Sequence, residues 1–301
     1  MRRLFVLSAA VIIAACAAPD DDVVDATDSV MADTDAPAAA PTTQPDSVSL
    51  TTILDNQPEA VRARYEFRNP AETLAFFGIE PGMAVGEALP GGGWYTKILL
   101  PYLGDEGRLV GVDYSLELWP NFGFASEEFV ENKKSWPETW VADAREWTDA
   151  DVDIDAYTFA TLPADQSLDA FLFIRALHNL NRFEDGRFMT EALQSVHGAL
   201  KPGGMVGVVQ HEAPADADAD WANGTNGYLK RADVVAAFEA AGFELAGSSD
   251  VNANPADMPT SDDSVWRLKP SRRSEEGNEA LRAQLDAIGE SNRMTLLFRK
   301  R

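Results

Sequence analysis

Short apolar runs alternate with longer amphipathic segments over residues 51–301. Runs of this kind predict strands, and the segments between them carry apolar residues at helical spacing. Strands that alternate with helices indicate an α/β fold built on a mostly parallel sheet. The predicted strands lie at residues 83–85, 109–112, 139–142, 168–174, 205–210 and 294–298, with a further strand after Gly242-Phe243.

The run Leu168–Ile174 is the most apolar of these segments. Such a run is expected of a central parallel strand that is buried on both faces. Met294–Phe298 is predicted to be the seventh strand, antiparallel beside the sixth. Residues 51–301 are therefore predicted to form a single domain.

Residues 82–113 predict a strand, a glycine-rich turn, a helix and a second strand, which together form a βαβ unit. The first strand ends at Glu87 and the second at Asp113, and Gly91–Gly93 open the helix. Glycine lets a ligand approach the backbone, and the start of a helix supplies free N–H groups. Because an acid after the second strand can accept both hydroxyls of a ribose, the pattern favours a nucleoside-type ligand. A turn that needs glycine only to bend would look the same.

This stretch resembles motif I of the class I S-adenosylmethionine (SAM) methyltransferases, in which an acid is followed by three glycines at alternate positions. Glu87 stands at the acid, Gly91 and Gly93 at the second and third glycines, and Leu89 where the first glycine belongs. The loop Pro-Gly-Gly-Gly-Trp-Tyr also resembles that of a family of predicted bacterial methyltransferases, exported or lipid-anchored. The dinucleotide fingerprint of NAD enzymes fits poorly, because Thr96 occupies its last small position.

The resemblance covers about residues 58–301 and includes the Lys201-Pro202-Gly203-Gly204 turn before strand five. It implies a Rossmann-like, doubly wound sheet of seven strands with a reversed C-terminal hairpin. The ligand would lie outside the carboxyl ends of strands one, two and four. It also implies SAM as the cofactor, and the residues that it assigns to cofactor binding are Glu87, Gly91, Gly92, Gly93, Asp113, Asp143 and Arg175.

Each part of the cofactor has its own residues in this resemblance. Gly91–Gly93 would approach the methionine part of SAM, Asp113 the ribose and Asp143 the adenine amino group. Asp143 follows the predicted strand at 139–142, and an exposed turn aspartate is the alternative. Arg175 stands just past strand four, at the edge where the family presents residues to the methyl group.

His178 and His211 follow strands four and five. A neutral imidazole can take a proton near neutral pH, so both are candidates for a general base in methyl transfer. Structural histidines hydrogen-bonded to a loop would look the same. Together with Glu212 they could hold a metal ion, but the local spacing is not that of metal ligands, and we expect none.

The formal net charge of −24 bears on the partners of the protein. An acidic surface repels phosphate backbones, so we expect a small-molecule methyl acceptor and no nucleic acid. The sequence gives no indication of the oligomeric state.

Residues 1–16 begin with two arginines near the start and continue through an apolar run to Cys16, the one cysteine of the sequence. A run about half the length needed to span a bilayer is typical of a signal peptide. Its Ile-Ala-Ala-Cys ending resembles a bacterial lipoprotein cleavage box, with the lipid on Cys16; an ordinary secretory signal is the alternative.

Residues 17–50, rich in Ala, Pro and Asp, are predicted to be a disordered tether. Ala17 favours the outer membrane, with the protein facing the periplasm.

The predicted location and the predicted cofactor conflict, because SAM is made in the cytoplasm. Two functions therefore stay open: a SAM-dependent methyltransferase acting on a small molecule, and a non-catalytic envelope lipoprotein that retains the methyltransferase fold. Leu89 in the glycine loop favours the second. Methyl transfer from a sulfonium requires chiefly an in-line approach in a site that excludes water, so the lack of elaborate catalytic motifs does not argue against the first.

Overall fold

The computed structural model describes residues 48–273 and 278–301. The predicted signal peptide, with Cys16 and its lipid, and nearly all of the predicted tether lie outside the described residues. No helix in the described part of the chain is long and apolar enough to cross a membrane.

Seven strands form one sheet in the order β3-β2-β1-β4-β5-β7-β6. Strands β1 to β5 run parallel, and β7 lies antiparallel between β5 and β6. This arrangement confirms the predicted fold class, a doubly wound Rossmann-like sheet with a reversed C-terminal hairpin. The strands are β1 Ala84–Ala88, β2 Arg108–Asp113, β3 Asp153–Thr158, β4 Leu168–Ile174, β5 Leu200–His211, β6 Phe243–Ser249 and β7 Arg293–Lys300.

Helices cover both faces of the sheet. They are α1 Leu50–Asp55, α2 Glu59–Arg62, α3 Tyr65–Arg68, α4 Pro70–Phe76, α5 Thr96–Leu103, α6 Glu127–Lys133, α7 Trp136–Arg145, α8 Leu177–Asn181, α9 Arg187–Ala199, α10 Arg231–Ala240 and α11 Glu279–Ile288. Short 3-10 turns lie at Leu116–Asn121, Glu184–Gly186 and Val265–Arg267.

The central strand β4 is buried on both faces, as its apolar sequence predicts. Phe171 and Phe173 enter the core beneath α9 and α10, whereas Ala170 and Leu172 enter the core beneath α4, α5 and α7. Successive side chains of a strand point to opposite faces, so one strand serves two cores.

The prediction of a strand at residues 139–142 is wrong, because these residues belong to α7. Trp136, Trp140 and Ala144 recur every fourth residue, which is helical spacing. The Trp136 and Trp140 rings stack 5.8 Å apart, and Trp140 packs directly against Gly111 of β2. The third strand instead begins at Asp153.

Candidate functional site

The sheet order reverses between β1 and β4, since the chain continues from β1 through β2 to β3 on one side and from β4 to β5 on the other. Ligands of open α/β sheets bind in the crevice outside the carboxyl ends of the strands at such a point. The residues at and just after the carboxyl ends of β1, β2, β4 and β5 therefore share one edge. Of the predicted site residues, these are Glu87, Gly91, Gly92, Gly93, Asp113, Arg175, His178 and His211.

Asp143 does not belong to this group. It lies on α7 with an exposed side chain, so the position on which its predicted adenine contact depended is lost. At the carboxyl end of β3 stand Thr158, Phe159 and Ala160 instead. Phe159 and Ala160, together with Ser115, help to line a cleft of about 280 Å³.

The loop after β1 departs from a glycine-rich pattern at Leu89. Leu89 adopts φ +51°, a left-handed conformation that glycine takes without strain and leucine does not. Its N–H donates to the carbonyl oxygen of Val112 at 2.7 Å, which fixes the loop to β2. The backbone here has the conformation that a glycine would favour, although the side chain is a leucine.

The three consecutive glycines of this loop differ in their surroundings. A Cβ on Gly93 would lie 2.3 Å from the Trp147 ring, so this glycine makes room for a packed indole. A Cβ on Gly92 would meet no atom within 4 Å, and one on Gly91 would meet only the Leu89 carbonyl oxygen, at 3.8 Å. Gly91 and Gly92 therefore leave open space where a ligand can approach the backbone.

Glu87 is buried at the end of β1. Burial raises the pKa of its carboxyl to about 7, against the opposing effect of the Thr96 hydroxyl, which donates to Oε2 at 2.7 Å. Glu87 thus lies close to the midpoint of its titration at neutral pH. Thr96, the residue that weakens the NAD fingerprint, is the partner of this acid.

Asp113 is also buried, and both of its oxygens accept hydrogen bonds. The N–H of Tyr114 donates to Oδ1 at 2.8 Å, and Lys133 Nζ donates to Oδ2 at 2.8 Å. Burial raises the pKa of Asp113 in spite of the lysine. A carboxylate has about four lone-pair positions, so this one retains acceptor capacity.

His178 and His211 lie side by side, with ring centroids 5.4 Å apart. Both are buried, and burial lowers the pKa of His178 to about 4 and that of His211 well below its usual value. The pKa of His211 is lowered further by the charges of His178 and of nearby arginines. Both imidazoles are therefore neutral at pH 7.

The tautomer of His178 follows from its partner, Gln210. The Gln210 amide nitrogen donates to the Gly227 carbonyl oxygen at 3.0 Å, so its oxygen faces His178 Nδ1, at 3.4 Å. An amide oxygen only accepts, and Nδ1 must carry the proton. The lone pair of Nε2 is then free to accept a proton from another group.

The metal alternative receives no support from the position of Glu212. Both of its oxygens bind Arg231, at 2.8 and 3.0 Å. Within residues 48–273 and 278–301, no group of three or more His, Cys, Asp or Glu side chains converges as metal ligands would.

Arg175 lies beside a carboxylate that the sequence did not single out, because its Nη1 is 4.0 Å from Glu290 Oε2. Arg64, Arg68 and Arg293 also lie within 4 Å of Glu290. Glu290 and Ser291 precede the reversed strand β7. Because β7 is antiparallel to β5, its first residues lie at the edge where the parallel strands end. Strand seven was predicted to be antiparallel, and from that prediction its first residues could have been expected at the edge where the site lies.

No protein-family model matches the chain, and no curated protein matches it. Solved structures of similar fold include a SAM-dependent methyltransferase from Aquifex aeolicus, 17% identical over 68% of this chain and 94% of that one, with a TM-score of 0.44. A SAM-dependent methyltransferase from Mesorhizobium loti is 17% identical over 82% and 100% of the two chains, with a TM-score of 0.42.

A third structure is the 1,6-didemethyltoxoflavin-N1-methyltransferase of Burkholderia thailandensis, with bound 1,6-didemethyltoxoflavin and S-adenosylhomocysteine. It is 17% identical over 89% of this chain and 93% of that one, with a TM-score of 0.45. At these values the likeness assigns neither a ligand nor an activity to this chain.

Proposed function

We propose that this protein is a SAM-dependent methyltransferase that acts on a small-molecule acceptor. The observation that carries the proposal is the meeting of two features at the reversal point of the sheet. The glycine loop after β1 leaves open space at Gly91 and Gly92, and Asp113 ends the neighbouring strand β2. This pairing of a glycine loop with a carboxylate is what a nucleoside-type ligand requires.

The residues fit SAM in three respects. Two glycines admit a ligand to the backbone, and the Asp113 carboxylate retains acceptor capacity for ribose hydroxyls. Leu89 adopts a left-handed backbone conformation of the kind that glycine favours. Gly93 has the Trp147 ring on its Cβ side and contributes to the packing of that indole.

SAM, when bound, supplies an electrophilic methyl group on a sulfonium. The chain supplies the rest: the Gly91–Gly92 backbone and Asp113 hold the cofactor, and His178 Nε2 accepts the proton that the acceptor loses. His178 suits this role because it is neutral and its Nδ1 is already engaged by Gln210. Burial of both histidines keeps water from the reacting group, as methyl transfer requires.

A non-catalytic role is the second candidate, and one observation favours it. Asp113, the proposed ribose acceptor, is held by Lys133. A protein that no longer bound a nucleoside would gain stability from such an ion pair. In either case we propose export and a lipid on Cys16, supported by the Ile-Ala-Ala-Cys sequence that ends the apolar N-terminal run.

Thermal unfolding of the purified protein tests the proposal. A ligand that binds only the folded state at about 100 times its Kd stabilises by about 2.7 kcal/mol. For a domain of this size we therefore expect SAM and S-adenosylhomocysteine each to raise Tm by about 5 °C or more. NAD should leave Tm unchanged, and a rise with NAD alone would contradict the proposal.

A further inference from the structure

Four arginine side chains meet around one carboxylate at the edge of the sheet. Glu290 Oε2 lies 3.3 Å from Arg293 Nη1 and 4.0 Å from Arg175 Nη1. Its Oε1 lies 3.5 Å from Arg68 Nε and accepts a hydrogen bond from Arg64 Nε at 2.9 Å. We call these five residues the arginine cluster.

The arginine cluster carries an excess of positive charge in a buried position. Only 5% of the Arg68 side chain and 3% of the Arg293 side chain are exposed. Among the described residues, Glu290 is the one carboxylate within 4 Å of these four guanidinium groups. Buried charges without partners are costly, so a cluster of four cations and one anion is incomplete.

The pKa values reflect this excess. Burial is the largest cause that lowers the pKa of Arg68 to about 9 and that of Arg293 to about 10, and the charge of Arg175 contributes to both values. Conversely, the arginines outweigh the effect of burial on Glu290 and hold the pKa of its carboxyl below the usual value. Another anion at this place would be stabilised in the same way.

Two donors of the arginine cluster make no hydrogen bond in the part of the chain that the structure describes. These are the buried Nε–H groups of Arg68 and Arg175. Guanidinium groups bind carboxylate and phosphate oxygens through parallel hydrogen bonds, which simple packing does not demand. The unused donors therefore match an oxyanion that is not part of the protein.

The arginine cluster adjoins the two histidines and the loop after β1. Ser291, next to Glu290, contacts His211 Nδ1 through its hydroxyl at 2.5 Å. On the other side, the Arg68 guanidinium lies 4.4 Å from the centroid of the Trp94 ring, and the Tyr95 hydroxyl donates to the Arg68 carbonyl oxygen at 3.3 Å. An oxyanion bound by Arg68 and Arg175 would thus lie close to His211, whose ring neighbours that of His178, and to the residues that follow the glycine loop.

We propose that Arg68 and Arg175 bind the oxyanion, carboxylate or phosphate, of the small molecule that accepts the methyl group. This inference rests on the proposed function. The sequence resemblance assigned Arg175 to cofactor binding, whereas the proposal assigns it to binding of the methyl acceptor. The charge of SAM supports that choice: its sulfonium and ammonium outnumber its one carboxylate, so an arginine-rich pocket repels it as a whole. An acceptor with negative charge compensates the cluster and attracts the cationic cofactor.

Thermal unfolding with simple oxyanions tests the inference. Sodium malonate and inorganic phosphate are compared with sodium chloride at equal ionic strength, and the two probes distinguish a carboxylate from a phosphate site. We expect at least one to raise Tm of the unaltered protein by about 3 °C or more above chloride. Arg68→Gln and Arg175→Gln should each lose that rise. Arg299→Gln, which alters a half-exposed arginine of β7, should keep it.

Three results would overturn the inference: no rise with either probe, an equal rise in the Arg68→Gln protein, or an equal rise in the Arg175→Gln protein. Two variants are used because Arg68 is deeply buried, whereas a quarter of the Arg175 side chain is exposed.

Calorimetry separates the acceptor from the cofactor. We expect the affinity of Arg68→Gln for SAM to stay within threefold of the unaltered protein. A tenfold loss of SAM affinity would indicate that the arginine cluster binds the methionine carboxylate of SAM, and this would overturn the proposal. A protein that binds malonate through Arg68 but fails to bind SAM would contradict the proposed function and leave the oxyanion site standing.

Discussion

Lys133 and Asp113 form an ion pair at the carboxyl end of β2, with Nζ 2.8 Å from Oδ2. The same ammonium lies 4.3 Å from the centroid of the Trp119 ring. Helix α6, which ends at Lys133, is thereby fixed to the strand whose last residue is the proposed ribose acceptor. The proposed binding of the cofactor ribose by Asp113 would therefore be coupled to the position of α6 through one carboxylate.

Asp113→Ala should weaken SAM binding by about 1–3 kcal/mol, since a charged hydrogen-bond acceptor is removed. Titration calorimetry of both proteins measures the change. Unchanged affinity would remove Asp113 from the site.

The ion pair itself is measured by a double-mutant cycle. Lys133→Met leaves a buried carboxylate without its cation and should lower the free energy of unfolding by about 1–3 kcal/mol. Adding Asp113→Ala to Lys133→Met should cost less than Asp113→Ala alone, because the two residues are coupled. Urea titrations of the four proteins give the coupling energy, and strict additivity would show that the pair contributes nothing.

Gly92→Ala and Gly93→Ala separate ligand approach from packing. Gly93→Ala should lower the free energy of unfolding by about 2–4 kcal/mol, because φ is +76° and Cβ would overlap Trp147. Gly92→Ala should leave stability within about 0.5 kcal/mol but weaken SAM binding at least tenfold. Chemical denaturation and calorimetry measure the two effects, and normal SAM affinity in a folded Gly92→Ala protein would place the cofactor elsewhere.

Glu87→Gln should stabilise the protein at alkaline pH. The folded pKa of about 7 lies above the usual value of 4.5, so between these pH values the folded protein keeps a proton that the unfolded chain has lost. Stability of the unaltered protein therefore falls as pH rises through this window, by about 3 kcal/mol. Glutamine is neutral, and its side-chain oxygen can still accept the hydrogen bond from the Thr96 hydroxyl. The stability of the variant should therefore not fall as pH rises through this window.

Urea titrations at pH 4 and pH 8 test this prediction. The advantage of Glu87→Gln should be absent at pH 4 and present at pH 8. Glu138→Gln, on the exposed face of α7, is the matched control and should show no advantage at either pH. An equal effect of Glu87→Gln at both pH values would mean that folding does not raise the pKa of the Glu87 carboxyl.

His178→Gln should reduce the acid sensitivity of the fold. The folded pKa of about 4 lies below the usual 6.5, so as pH falls through this window the unfolded chain gains a proton that the folded protein excludes. The unaltered protein loses about 3 kcal/mol in this way from His178 alone. Free energies of unfolding at pH 7 and pH 4.5 should differ by about 2 kcal/mol less in the variant. An unchanged difference would show that His178 titrates normally.

His178→Gln also bears on catalysis. SAM affinity should be unaltered, whereas the rate of methyl transfer to an identified acceptor should fall by 100-fold or more if Nε2 accepts the proton. Equal rates would leave His178 with the structural role that the sequence also allowed.

The sheet could be predicted because strand information is local. Leu168–Ile174 was predicted with its observed bounds, since six of its seven residues are apolar, as expected of a strand buried on both faces. The prediction of a strand at 139–142 was wrong because the helical spacing of Trp136, Trp140 and Ala144 is not visible within a window of four residues. The position predicted for Asp143, at the end of that strand, is wrong for the same reason.

The arginine cluster could not be predicted from local sequence. Arg64 and Glu290 lie 226 positions apart, and their meeting depends on how α3 and the start of β7 reach one edge of the sheet. Arginines and a glutamate scattered along a sequence are indistinguishable from ordinary surface residues until a fold buries them. Leu89 is similar: its left-handed φ is dictated by the loop and opposed by its own side chain.

Calorimetric titration of the purified protein with SAM and with S-adenosylhomocysteine tests the central claim most directly. We predict that both bind in the micromolar range at one site per chain, and that Gly92→Ala weakens both. Absence of binding to either compound by a folded protein would contradict a methyltransferase function and favour a non-catalytic lipoprotein.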